Sequence, residues 1–256
     1  MKILCIAVVG LLAGISMSGV YADTILSDNF DSYTNGALVG QGGWLQTGAT
    51  ATNPIQVSSG TVLIGSAGGQ DVYDPFSSSQ TLSSLSSITI TLDITVTSAA
   101  AGGDYFVHLG TTSGGTSGFY DKLWAKSTTG GYLLGVSGIT TTAASIGYGT
   151  TVLDLNTTYS ISLTWNIVSG ASNDTFDLFV NAAPYVSTAF LGTDTEPTSV
   201  AEVAFRQGSS TASPGVTVDN LAVTTVAAVP EPGTVAMVAL GLGVVVFSIR
   251  RRRTMA

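Results

Sequence analysis

The chain has 256 residues and a net charge of −8 at pH 7, with 8 Lys and Arg against 16 Asp and Glu. Five of the basic residues are terminal, Lys2 and Arg250 to Arg253, so residues 23–229 hold three cations against fifteen acids, a net −12. Such a surface repels nucleic acid and anionic lipid, and nucleic acid is not expected as a partner.

Lys2 followed by the apolar run Ile3 to Ile15 and by Val20-Tyr21-Ala22 reads as a secretory signal peptide over residues 1–22, with signal peptidase cutting before Asp23. The run is apolar all round, unlike a helix that packs one face on a core. Cys5, the only cysteine, leaves with it. The mature protein then has no disulfide, thiolate zinc site or cysteine nucleophile.

Residues 23–228 form one domain. Ser87 to Thr97 alternates Ile88, Ile90, Leu92, Ile94 and Val96 with Thr and Asp, the period of a strand with one buried face. Thr158 to Val168 repeats the pattern, and Asp174 to Val180 sets Phe176, Leu178 and Val180 together. Ile55 to Val57 and Thr61 to Ile64 flank Ser58-Ser59-Gly60, a hairpin turn. Shorter strands are expected at Thr24 to Phe30, Asp104 to Leu109, Phe119 to Lys126 and Tyr132 to Val136. Tyr185 to Thr188, Glu202 to Arg206 and Val216 to Val223 complete the set. In the last, Val216 and Val218 share one parity and Leu221 and Val223 the other, so a bulge is predicted at Asp219-Asn220. No segment has a helical period, and many short strands between Gly, Ser and Thr turns argue an all-β antiparallel sandwich.

The C-terminus, residues 229–256, has three parts. Val229-Pro230-Glu231-Pro232-Gly233-Thr234 is extended by its prolines. Val235 to Ile249 is apolar, near the short limit for a membrane helix. Arg250, Arg251, Arg252 and Arg253 form a cytoplasmic stop under the positive-inside rule. This order resembles the PEP-CTERM sorting signal, read by exosortases in Gram-negative bacteria. The resemblance implies transient insertion in the inner membrane, cleavage near Pro230, Glu231 and Pro232, and delivery to the cell surface or extracellular matrix. An ordinary uncleaved anchor is the alternative. Asp28-Asn29-Phe30-Asp31-Ser32-Tyr33 with Gly40-Gln41-Gly42-Gly43-Trp44 resembles the opening of concanavalin A-like jelly rolls, and Val218 to Val223 their closing strand. That resemblance implies a jelly roll whose first and last strands lie side by side.

Jelly rolls of this kind include glycoside hydrolases, which need paired carboxylates. Their Glu-x-Asp-x-x-Glu strand is absent, and the glutamates are Glu196, Glu202 and Glu231. Asp174 and Asp177 fall on opposite faces of a strand and read as solvated. His108, the single histidine, alternates away from Tyr105, Val107 and Leu109 and reads as surface or partly buried. The resemblance implies a structural calcium near Asp219 and Asp28; the alternative is that Asp219 satisfies the bulge backbone itself. No other cofactor is called for. Alternation places Tyr120, Lys122, Trp124 and Lys126 on one face of a strand, where Tyr120 and Trp124 are candidate carbohydrate contacts; the alternative is that Trp124 is core. These readings converge on a non-catalytic, exported surface or matrix protein whose domain either binds exopolysaccharide or merely packs in the envelope. The competing reading is a glycan-active hydrolase of unrecognised type.

Overall fold

The computed structural model describes residues 21–47, 53–65, 69–115, 117–138, 146–168, 170, 173–189, 197–208 and 214–229. Residues 1–20, where a signal peptide is expected, the Pro230-Glu231-Pro232 motif, the apolar run and Arg250 to Arg253 lie outside the described residues. Everything described between them is strand, turn or a single 3-10 turn at Leu82–Ser84.

One sheet has nine strands: β1 (Ala22–Asp28), β2 (Gly36–Ala37), β4 (Gln56–Ser58), β5 (Thr61–Ile64), β7 (Leu85–Ser98), β12 (Thr158–Asn166), β13 (Thr175–Val180), β14 (Ala183–Ala189) and β16 (Gly215–Ala227). The other has seven: β3 (Leu45–Thr47), β6 (Asp71–Thr81), β8 (Asp104–Gly110), β9 (Phe119–Thr128), β10 (Gly131–Ser137), β11 (Gly147–Tyr148) and β15 (Ser199–Arg206). Within the nine-stranded sheet the order is β14-β13-β12-β7-β16-β5-β4-β2, with β1 alongside β16. In the seven-stranded sheet it is β11-β10-β9-β8-β15-β6-β3. All the pairings are antiparallel, and the two sheets form a jelly-roll sandwich.

The core lies between the inner faces. Ile88, Ile90, Leu92, Ile94 and Val96 of β7 are all buried, each worth about 1.5–3 kcal/mol of transfer free energy relative to exposure. Trp44, just before β3, stacks on Phe205 of the same sheet at 4.7 Å, and Trp165 stacks on Tyr120 of the facing sheet at 5.7 Å, so the second aromatic pair bridges the layers. The indole N–H of Trp165 donates to Asp174 Oδ2 at 2.7 Å, and the Val168 N–H to Oδ1 at 2.8 Å. Asp174 is therefore buried rather than solvated: it satisfies a tryptophan that the core would otherwise leave unpaired.

The β4–β5 hairpin turns on Ser59 and Gly60, both with positive φ, 53° and 78°, as a two-residue primed turn requires. The bulge in β16 is present. Asp219 pairs with Asp93 and Ala222 with Thr91, and Asn220 adopts φ 51° between them. Val216, Val218, Leu221 and Val223 thereby all face the core. β1 runs beside the second half of β16, Ala22 opposite Val226 and Asp28 opposite Leu221.

The opening motif is a structural lock. The Phe30 N–H donates to Asp28 Oδ1 at 2.9 Å, the Trp44 indole N–H to Oδ2 at 2.9 Å, and the Tyr33 hydroxyl to the same Oδ2. Any Cβ at Gly42, where φ is +55°, would sit 1.4 Å from the Tyr33 hydroxyl, so this position accepts only glycine. Asp219 accepts from the Asn220 N–H at 2.7 Å and Asp93 accepts from the Asn220 amide at 2.9 Å. Asp28 and Asp219 thus both accept hydrogen bonds from the chain's own donors, Asp219 through Oδ1 alone. The described residues contain no cluster of three or more His, Cys, Asp or Glu placed for a metal.

Four strands carry no readable alternation. β2, β3 and β11 are two or three residues long, and the eleven-residue β6 reads as a Pro and Ser segment. β6 tolerates Pro75 because that residue lies opposite Glu202, where the register with β15 shifts, the kind of irregularity that accommodates a missing N–H.

Candidate functional site

The outer face of the seven-stranded sheet differs from an ordinary solvated sheet face, and two bulges create it. Tyr105 of β8 pairs with Trp124 of β9, Val107 with Leu123 and Leu109 with Tyr120. One extra residue thus falls in β8 at Phe106, and one in β9 at Asp121–Lys122, where Asp121 takes φ 50°. An extra residue reverses the parity of everything beyond it. Phe106 and Val107 both turn into the core, and Tyr105 and His108 turn outward together, their rings 5.7 Å apart.

The same effect separates the two predicted carbohydrate contacts. Tyr120 points inward onto Trp165, along with Leu123 and Ala125. Trp124 points outward with Lys122, its ring 5.2 Å from Tyr105 and its indole N–H donating to Ser137 Oγ at 2.8 Å. Strict alternation had put Tyr120 and Trp124 on one face; the bulge overturns that. Trp124 is covered to 5 % exposure by its outer-face neighbours rather than by the core, so neither aromatic is an open stacking platform.

All three cations of residues 23–229 meet on this face. Lys122 Nζ lies 5.1 Å from the Tyr105 ring centre, and the Arg206 guanidinium lies 4.4 Å from it. Lys126 Nζ sits 5.2 Å from the ring centre of Tyr148, which lies across Gly135. Arg206 also donates to Asp104 Oδ1 at 2.7 Å in an ion pair. A cation over a tyrosine face gains about 0.5–2 kcal/mol, more as water is excluded. Lys122 is buried, whereas Lys126 and Arg206 keep part of their side chains in water.

The sheet's remaining outward groups are strongly perturbed. Glu202 of β15 is buried and accepts the Gly114 N–H. Burial pushes its carboxyl up to about 7, against the pull of that hydrogen bond. Gly114, between β8 and β9, therefore lies over the sheet beside Glu202 and Tyr73. His108 is fully buried under the Phe119 ring, 4.2 Å away, and its Nε2 has no partner. Burial drives its pKa down to about 3, and Lys122 and Arg206 add to the effect. The imidazole is neutral and internal, not at the surface as alternation implied. Burial also raises Tyr105 and Tyr148 to about 12 each, with Arg206 opposing at Tyr105. Asp71, two strands away, is raised by burial and drawn back by Arg206.

Arg206, Tyr105, Glu202, Tyr148 and Asp104 were not singled out in the sequence. The available signal was scarcity: with three cations in the whole domain, their positions are informative, but only the β9–β8–β15 order brings Arg206 to Lys122 and Lys126. Asp28 and Asp219 lie on the other sheet and do not join this face.

Residues 228–253 match the PEP-CTERM protein-sorting motif. The chain is thus an exported protein with a PEP-CTERM sorting tail behind a jelly-roll domain. No curated protein matches it in sequence. Among solved structures it is similar to the alginate lyase Aly36B, with 16 % identity and a TM-score of 0.52 over 77 % of this chain and 95 % of that one. A mutant form of that lyase in complex with alginate trisaccharide gives 17 % identity and a TM-score of 0.52, covering 77 % and 96 %. The CBM2 module of the evolved Dit of Lactobacillus casei BL23 phage J-1 gives 10 % identity and a TM-score of 0.51, covering 82 % and 99 %. At these identities the likeness is one of fold.

Proposed function

We propose that this is a non-catalytic surface or matrix protein whose domain binds an acidic exopolysaccharide along the outer face of its seven-stranded sheet. An exosortase removes the tail after signal peptidase has removed the leader. The observation that supports the reading is the convergence of Lys122, Lys126 and Arg206 on one face of a domain of net charge −12. Lys126 and Arg206 reach water and suit the carboxylates of a uronate chain, with Tyr148 beside them as an apolar ring for a sugar face. Lys122, His108 and Trp124 lie beneath as a rigid floor. An alginate-bound neighbour of the same fold is consistent with such a ligand.

Binding of the secreted protein to polyuronate and to a neutral glucan is the test. The double substitution Lys126→Ala, Arg206→Ala is expected to weaken polyuronate binding about tenfold or more, with steep salt dependence. Equal affinity for both polymers, unaffected by the double substitution, would sink the proposal.

Glycan cleavage is the second reading, favoured by the raised carboxyl of Glu202. Glu202 is 1 % exposed and bonded to Gly114, which leaves no room for a substrate proton. New reducing ends appearing on polyuronate, abolished in Glu202→Gln, would establish cleavage instead.

A further inference from the structure

We infer that the end of the sandwich from which the sorting tail departs is a membrane-facing platform, lying on the lipid surface while the precursor is anchored. The inference rests on reading residues 230–253 as a membrane-inserted tail.

Topology carries the first part. β1 and β16 are antiparallel neighbours, so Ala22 lies opposite Val226. The signal peptide that ends at Ala22 and the tail that begins at Pro230 therefore leave the domain at the same end of the same sheet. Ala227 pairs with Leu85 and the Ala228 N–H donates to Ser84 O at 2.9 Å, so the fold is closed almost to the sorting motif. Only the five residues Pro230 to Thr234 separate it from the apolar run at Val235, and fully extended they span at most about 18 Å. A domain tethered so tightly at its C-terminus holds this end toward the bilayer even after the leader has gone.

The surface fits that position. Val229 and Val168 are exposed there at 60 % and 49 %. Between them opens a cleft of about 520 Å³ lined by Leu82, Leu85, Ile167 and Pro197. Asp174, the charged group among the described lining residues, is buried with both oxygens on Trp165 and Val168. Asp23, at the second residue of β1, is an exposed acid at this same end. The opposite end of β12 carries the exposed Asp154, Asn156 and Thr157 beside the exposed Val152 and Leu155, about 30 Å away along nine residues of strand, so the tether rather than apolar exposure separates the two ends. A cleft lined by apolar and hydroxyl side chains among the described residues, at the tethered end, matches a lipid headgroup boundary.

The full-length precursor, in a Cys5→Ser background, is reconstituted in vesicles of phosphatidylethanolamine and phosphatidylglycerol with a polarity-sensitive fluorophore on one introduced cysteine. Val168→Cys and Ser83→Cys report the tethered end and Thr157→Cys the far end. Lipids carrying a quencher at headgroup depth are expected to cut the fluorescence several-fold at both near positions and to leave Thr157→Cys unchanged. Equal quenching at both ends, or none at Val168 and Ser83 in a precursor that resists alkaline carbonate extraction, overturns the inference. So does shielding of the near labels from water without lipid quenching, which identifies a protein as the covering partner. A precursor that carbonate strips from the membrane overturns the sorting-tail reading and the platform together.

Discussion

The two outer faces of this sandwich follow opposite rules. On the nine-stranded sheet, β7 and β12 pair without interruption from Ser87–Asn166 to Thr95–Thr158. Their outward side chains make neutral hydroxyl contacts, Thr89 to Thr164 at 3.0 Å and Thr95 to Thr158 at 2.8 Å. On the seven-stranded sheet the register breaks twice between β8 and β9, and the outward side chains are buried, aromatic or charged. A regular ladder gives a generic polar surface, because alternation alone keeps Ser and Thr in water. A bulge re-aims side chains at local cost, and here the re-aimed residues assemble the cations and tyrosines.

The largest effect that tests this contrast is truncation at matched outward positions. Trp124→Ala is expected to cost about 3–5 kcal/mol, and Thr164→Ala no more than about 1 kcal/mol, both read from urea unfolding. Comparable losses would show that the faces do not differ in packing.

The pH profile gives the next largest effect. Glu202 is raised in the folded state from 4.5 to about 7, so the native chain holds a proton that the unfolded chain has released. Its contribution is present below pH 4.5 and is lost as pH rises through about 7, of order 2–3 kcal/mol in all. His108 runs the other way: lowered from 6.5 to about 3, it contributes stability above pH 6.5 that is lost as pH falls. Between about pH 4.5 and 6.5 the two oppose one another. Against the unaltered protein, Glu202→Gln should tilt the profile toward stability rising with pH across that window, and His108→Gln toward stability falling. Asp74, raised by burial to about 6, adds the same fall to both. Parallel profiles for the two variants would contradict the buried states assigned to both groups.

The bulges themselves sharpen the comparison at the level of about 1–2 kcal/mol. Asp121 has φ 50°, is completely buried, and has no partner for either carboxyl oxygen; burial holds its pKa well above the usual range. Asp121→Gly relieves backbone strain and an unsatisfied group together and should raise the denaturation midpoint. Asn220 also has positive φ but bonds Asp93 from the surface, so Asn220→Gly should move it by about 0.5 kcal/mol or less. Smallest of all is the effect of calcium. With Asp28 and Asp219 on protein donors, neither calcium nor chelator should shift the melting midpoint, and a calcium-dependent rise would support the metal site.

The fold was legible wherever period and parity were. The strands of the nine-stranded sheet other than β2, the Ser59-Gly60 turn and the Asp219-Asn220 bulge follow from apolar positions that only one face can bury. The bulge was readable because Val216, Val218, Leu221 and Val223 are all apolar, so the parity change is visible in the chain. At Asp121 no such signal exists. Phe119, Tyr120, Leu123, Trp124 and Ala125 are all apolar or aromatic, and either parity looks acceptable. The same ambiguity at Phe106, Val107 and His108 hid a buried histidine. β6 was invisible because Pro75 and four neighbouring polar residues obscure a strand that pairing with β15 alone maintains.

By itself the sequence determined an all-β sandwich, an acidic domain poor in cations, and a sorting tail, because composition, two-residue periodicity and the order of motif, apolar run and arginines are properties of the linear chain. Tertiary structure decided which cations meet. Lys122 and Arg206 are distant in sequence and share the Tyr105 ring only through the β9–β8–β15 order and two bulges. It also decided that both termini leave from one end, since that depends on β1 lying antiparallel to β16. Pairing partners and inserted residues are chosen by the closure of the whole core, and no local pattern encodes them.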